Sequence, residues 1–258
     1  MDASERKPSS MLTRIALEVK QYRVWMRMLG IAAGILAILI TLIYIAAALY
    51  TTTGSFTVRI NKVDSATYSM MLSDTENFAQ TSVKLDARAA EEVTNICYVD
   101  VLEQLKEHDG AHNGDNYVAS TFYLRNEGNK VLSYAYEMYI SNVTRDLDKA
   151  VRIMVSIDDG PPVVYAKWNN AYDVEYVCPF DYKTMELYGV TKNFESDFIV
   201  FHGDIMGLRP YSATGDYTKF TVVIWIEGDD ADCVDNKIGG EFRVEMLFSV
   251  INAEEFKK

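Results

Sequence analysis

The stretch that decides the fold is Tyr117–Ile140, YVASTFYLRNEGNKVLSYAYEMYI. Side chains alternate across a strand, so Val118, Ser120, Phe122 and Leu124 share one face. Asn126-Glu127-Gly128-Asn129 is turn chemistry, because Gly and Asn tolerate positive φ. Leu132, Tyr134, Tyr136, Met138 and Ile140 then return on a single face. The spacing predicts a long β-hairpin.

The same period of two recurs outward in both directions. Towards the C-terminus, Val151, Ile153, Val155 and Ile157 alternate with Arg152, Met154 and Ser156. Asp158 to Pro162 turns the chain, and 163–167 and 198–202 read as short strands. Tyr217–Ile226 ends in VVIWI, apolar on both faces, which predicts a central strand. Phe242, Val244, Met246, Phe248 and Val250 alternate with polar residues as a final, half-solvated strand. Towards the N-terminus, Phe56, Val58 and Ile60 alternate, and 67–72 is a further candidate strand. Residues 86–108 mix helix formers (Ala87, Ala89, Ala90, VLEQLKEH) with TNICYV, which predicts a small helical insertion at the domain's edge. Eight or nine strands without long amphipathic helices exclude βαβ units. The expected fold is mainly β: an antiparallel β-sandwich, jelly-roll or immunoglobulin-like, behind an N-terminal transmembrane helix.

That helix is 29–50, LGIAAGILAILITLIYIAAALY, with 22 residues and no charge. About 20 apolar residues cross the hydrocarbon core of a bilayer. The chain thus divides into a basic amphipathic segment at 1–28, a span at 29–50 and a β-sandwich domain at 51–258. In the first segment Leu12, Ile15, Val19, Tyr22 and Met26 follow helical spacing. Six Lys/Arg precede the span (Arg6, Lys7, Arg14, Lys20, Arg23, Arg27), so the positive-inside rule puts the N-terminus in the cytoplasm and the domain outside. The competing reading is a signal peptide cleaved after Ala48, but the apolar run exceeds the usual signal core. Gly30 and Gly34 form a GxxxG, a spacing that favours helix dimers.

Of 25 basic and 37 acidic residues, six and three precede the span, leaving 19 against 34 behind it, a net of −15. Such a surface repels nucleic acid and anionic lipid, and suits cations or a basic partner. Cys97, Cys178 and Cys233 are too few for a disulfide scaffold. Three unpaired thiols are expected, with Cys178–Cys233 as the alternative pair.

The candidate metal ligands are Glu227, Asp229, Asp230, Asp232 and Asp235, five carboxylates within nine residues. Ca2+ takes six to eight oxygen ligands, and an acidic loop supplies several. The spacing is not that of an EF-hand, and a solvated acidic loop is the plainer reading. His108, Asp109, His112 and Asp115 form a second cluster, but Gly110 and Gly114 interrupt any helix that would align the histidines. No nucleophile elbow appears, and no cofactor is expected beyond the candidate Ca2+.

The segments TTGSFTVRINK, DNYVASTFYLRNEGN, AVRIMV, VVYAK and YTKFTVVIWIEGDDADCVDNKIGGEFRVEM, together with the N-terminal anchor, resemble a family of uncharacterised single-pass membrane proteins of clostridia-like Gram-positive bacteria. That family implies no activity and no site residue. More distantly, the anchor followed by alternating strands is similar to the TasA/camelysin class of exported β-sandwich proteins, some of which assemble into matrix fibres. The long anchor departs from that class.

The function expected is a membrane-anchored, cell-surface β-sandwich with a structural or partner-binding role and no catalysis, with self-association or a protein partner in view. Two alternatives are a metal-dependent surface hydrolase, which needs the histidine and carboxylate clusters to converge, and a secreted TasA-like fibre subunit after signal cleavage.

Overall fold

A computed structural model describes residues 10–52, 56–61, 67–87, 93–98, 108–170, 174–175, 190–212 and 216–251. The chain separates between Thr52 and Thr53 into two units. The first holds one uninterrupted helix, α1 (Ser10–Thr52). Within it Glu18–Ile45 is long and apolar enough to cross a membrane, and its most apolar stretch is unburied. Its branched and aromatic side chains, Ile31, Ile35, Ile38, Ile43 and Tyr44 among them, are all exposed. Water would penalise that surface; lipid would not.

The described residues of the second unit form twelve strands: β1 (Phe56–Ile60), β2 (Met70–Ser73), β3 (Lys84–Ala87), β4 (Gly110–Ala111), β5 (Tyr117–Asn126), β6 (Leu132–Val143), β7 (Val151–Ile157), β8 (Val163–Ala166), β9 (Lys192–Asn193), β10 (Ile199–Leu208), β11 (Tyr217–Ile226) and β12 (Phe242–Ile251). One sheet runs β10-β6-β12-β1-β3. The other runs β2-β5-β11-β7-β8-β9, with β4 also beside β5. Their inner faces meet in one core. Phe122 lies opposite Phe220 in register, and the two rings stack 5.4 Å apart. Phe248 and Phe56 reach them from the other sheet, 5.2 Å from Phe220 and 6.2 Å from Phe122. Each such ring contributes about 1.5–3 kcal/mol by leaving water. The fold is the expected β-sandwich, and β11 is central, between β5 and β7.

Three expectations need correction. First, β5 and β6 are not a hairpin: they sit in different sheets. Asn126, fully buried, directs the crossing. Its Nδ2 donates to the carbonyls of Lys130 (2.7 Å) and Leu208 (3.0 Å), and its Oδ1 accepts the Gly128 N–H. A Cβ at Gly128 would lie 2.3 Å from the Thr67 carbonyl oxygen, so the crossing admits only glycine there. Both strands turn one apolar face inward whether they pair or face each other, so alternation alone could not separate the two arrangements.

Second, the sheets are not purely antiparallel. β1 lies parallel to β12, and β8 parallel to β9. The strand that follows α1 is thus inserted between β12 and β3 rather than added at an edge. Third, β10 runs to Leu208, well past His202. Gly203 continues the strand opposite Tyr136, whose ring end occupies the space that a Cβ would take. The expected helical insertion falls largely on residues outside those described. Two 3-10 turns, Leu147–Lys149 and Asp235–Lys237, lie between strands.

Candidate functional site

The second sheet buries its outer face as well. Odd-numbered residues of β11 point away from the main core, and Val223 and Trp225 lie opposite Ala119 and Tyr117 of β5 and Met154 and Arg152 of β7. Residues 95–98 cover this row. Ile96 donates its N–H to the Ile226 carbonyl and accepts from the Gly228 N–H, both at 3.0 Å. Tyr98 then stacks on Trp225, rings 5.6 Å apart. The result is a second, small core with Tyr98, Tyr117, Ala119, Met154, Val223 and Trp225.

Arg152 stands in this row, fully buried. Such a cation persists only when paired. Its Nη2 donates to Asp230 Oδ2 at 2.6 Å, with both side chains 1% exposed, and Glu175 Oε2 lies 3.5 Å away. Asp230 Oδ1 accepts the Asp232 N–H at 2.7 Å, and Asp232 Oδ2 accepts Asn169 Nδ2 at 2.7 Å. Glu227 is buried one turn earlier and accepts Trp225 Nε1–H through Oε2 at 3.1 Å. Its Oε1 is buried. Burial pushes the Glu227 carboxyl above the usual range, against the opposing pull of the Trp225 N–H and the Arg152 guanidinium.

The acidic run is therefore a clamp rather than a solvated loop. Glu227 and Asp230 are buried anchors and Asp232 is half-buried in the network, whereas Asp229 and Asp235 are exposed. Cys233 carries a free thiol here, raised by burial. Cys97 is disulfide-bonded. That overturns both cysteine expectations, three free thiols and a Cys178–Cys233 pair; Cys178 lies outside the described residues.

The histidine cluster forms a separate hydrogen-bonded set. The His108 and His112 rings sit 5.6 Å apart. Asp109 Oδ1 accepts the Tyr123 hydroxyl at 2.5 Å, and His112 Nδ1 donates to the Gly110 carbonyl at 2.9 Å. Burial lowers the His112 pKa. Asp115 is exposed. Among the described residues no three of His, Cys, Asp and Glu gather closely enough to hold a metal ion.

Arg152 is the residue that sequence reading missed. Its alternation with Ile153 and Val155 assigns it to a solvent face. The signal against that was VVIWI: a strand apolar on both faces must be covered on both, and so must the neighbour facing it. No protein-family model matches the chain, nor does any curated protein or any solved structure.

Proposed function

We propose that this chain is a single-pass membrane protein whose β-sandwich stands outside the cytoplasm as a structural or partner-binding module without catalysis. The apolar helix Glu18–Ile45, unburied by its own chain, supports the anchor. The basic residues before it support an N-terminus in the cytoplasm. The observation that carries the external placement is the Cys97 disulfide, since such bonds persist in oxidising compartments and are rare in the cytosol. The resemblance to single-pass Gram-positive membrane proteins agrees with this arrangement. The non-catalytic reading rests on how the polar groups are used: Arg152, Asp230, Asp232 and Glu227 hold a loop against a sheet.

Blocking thiols in intact cells before lysis tests the compartment. Cys97 should become alkylable only after reduction; alkylation of Cys97 without reductant places the domain in a reducing compartment and overturns the reading. A membrane-impermeant amine crosslinker tests the role. Discrete adducts that survive replacement of α1 by an unrelated span are expected, and a chain that stays monomeric throughout refutes partner binding.

A further inference from the structure

β10 ends its sheet, and among the described residues it is the longest edge strand of the domain. The other edges are short: β3 and β2 have four residues each and β9 has two, and the open side of β2 is already bonded to Ser82. Natural edges are usually blunted because unpaired main-chain groups invite another strand. Part of β10 is blunted in this way. The Glu195 N–H donates to the Val200 carbonyl at 3.3 Å, and the His202 N–H donates to Glu195 Oε1 at 3.1 Å. These bonds show that residues 200 and 202 turn their main-chain groups away from β6. In a paired strand those groups alternate, so Gly203 and Ile205 face β6 while Asp204 and Met206 face outward. The Gly207 N–H, turned back to Ser133 Oγ, fits the same parity. Beyond Glu195, no strand among the described residues covers the edge at Asp204 and Met206. Between the two register shifts the pairing with β6 runs unbroken from Phe201 to Ile205, and Met206 lies where the second shift begins.

The surroundings select the partner. His202, Asp204 and Met206 alternate onto the exposed face, where Met206 is 59% exposed. Glu137 lies beside His202 on β6, and Glu195, whose Oε2 is hydrogen-bonded to the His202 ring, stands at the end of the open segment. Lys167 is held by Asp148 and Asp197. Acidic groups thus flank unpaired main-chain groups, with one adaptable apolar contact.

We infer that the β10 edge at Asp204–Met206 accepts an extended, basic segment of another protein as an added strand. Main-chain hydrogen bonds would supply affinity and alternate Lys or Arg side chains specificity. This rests on the partner-binding reading and names its surface.

The test uses the full chain in nanodiscs of neutral lipid. The probes are fluorescein-labelled Thr-Lys-Val-Lys-Thr-Lys-Val-Lys and the same peptide with Glu for Lys, read by anisotropy and amide-resolved hydrogen exchange. In the free chain the Asp204 and Met206 amides should exchange fast and those of Gly203 and Ile205 slowly. The Lys peptide should bind and slow Asp204 and Met206 at least tenfold, and the Glu peptide should not bind. Asp204→Lys should weaken binding tenfold or more. Met206→Pro should abolish it, because proline there removes an outward N–H and leaves the β6 ladder intact. Equal binding of the two peptides, or undiminished binding by both variants, overturns the inference. So do Asp204 and Met206 amides already protected in the free chain, which would mean that the chain or a second copy covers the edge. Crosslinked adducts on cells that persist in Met206→Pro would leave partner binding standing and refute the edge alone.

Discussion

Replacing Arg152 by Met isolates the ion pair that holds the Glu227–Asp235 loop. Met keeps most of the apolar stem and removes the guanidinium. Asp230, whose side chain is 1% exposed, then loses the 2.6 Å bond from Nη2, and Glu175 loses its neighbour at 3.5 Å. Removing one partner of a buried pair typically costs about 3–5 kcal/mol, because the other charge stays buried and uncompensated. In a domain of this size each kcal/mol lowers Tm by roughly 2–4 °C, so a drop of about 10 °C is expected. The double variant Arg152→Met/Asp230→Leu removes both charges and should recover at least half of that loss. Arg59→Met is the control. Arg59 pairs with Glu245 at 3.1 Å but is 47% exposed, and such a pair contributes at most about 1 kcal/mol. Circular dichroism melts of the four proteins decide the matter. An Arg152→Met shift as small as that of Arg59→Met, or no recovery in the double variant, refutes a buried clamp.

Three further outcomes follow from the same geometry. Burial raises the Glu227 carboxyl, so its contribution to stability is fully present below the unfolded carboxyl pKa and is lost as pH rises through the raised folded value. Glu227→Gln should therefore match the parent in acid and exceed it in stability at neutral pH; urea melts that differ equally at both pH values contradict this. In proton NMR titrations His202 should titrate above 6.5, through its hydrogen bond to Glu195, and His112 below it, through burial. Glu195→Gln should lower only the former, and parallel shifts of both rings would refute the assignment. Millimolar Ca2+ should leave Tm unchanged, since Asp230 and Glu227 already hold Arg152 and Trp225; a rise of several degrees would show a cation site in the loop.

Much of the fold was legible because its core strands bury one face. Phe122, Phe220 and Phe248 lie in period-two runs, and each proved to be a core ring. A helix long and apolar enough to cross a membrane was legible from the length and lack of charge of 29–50. What alternation could not carry was pairing. It did not reveal that Asn126 hands the chain from one sheet to the other, nor that β1 lies parallel to β12. Those depend on hydrogen bonds between residues far apart in sequence, such as Asn126 to the Leu208 carbonyl. The acidic loop was located correctly, but its use was not legible. Asp230 needs Arg152, 78 residues away, and Arg152 reads as solvent-facing until Tyr98 is seen to cover Trp225.

The most direct measurement is protease treatment of intact cells that carry the chain tagged at both ends, followed by mass analysis. A full-length chain whose C-terminal tag is lost and whose N-terminal tag is protected is the expected result. Protection of the C-terminal tag would contradict an external domain, and a mature chain beginning near Leu49 would contradict a retained anchor.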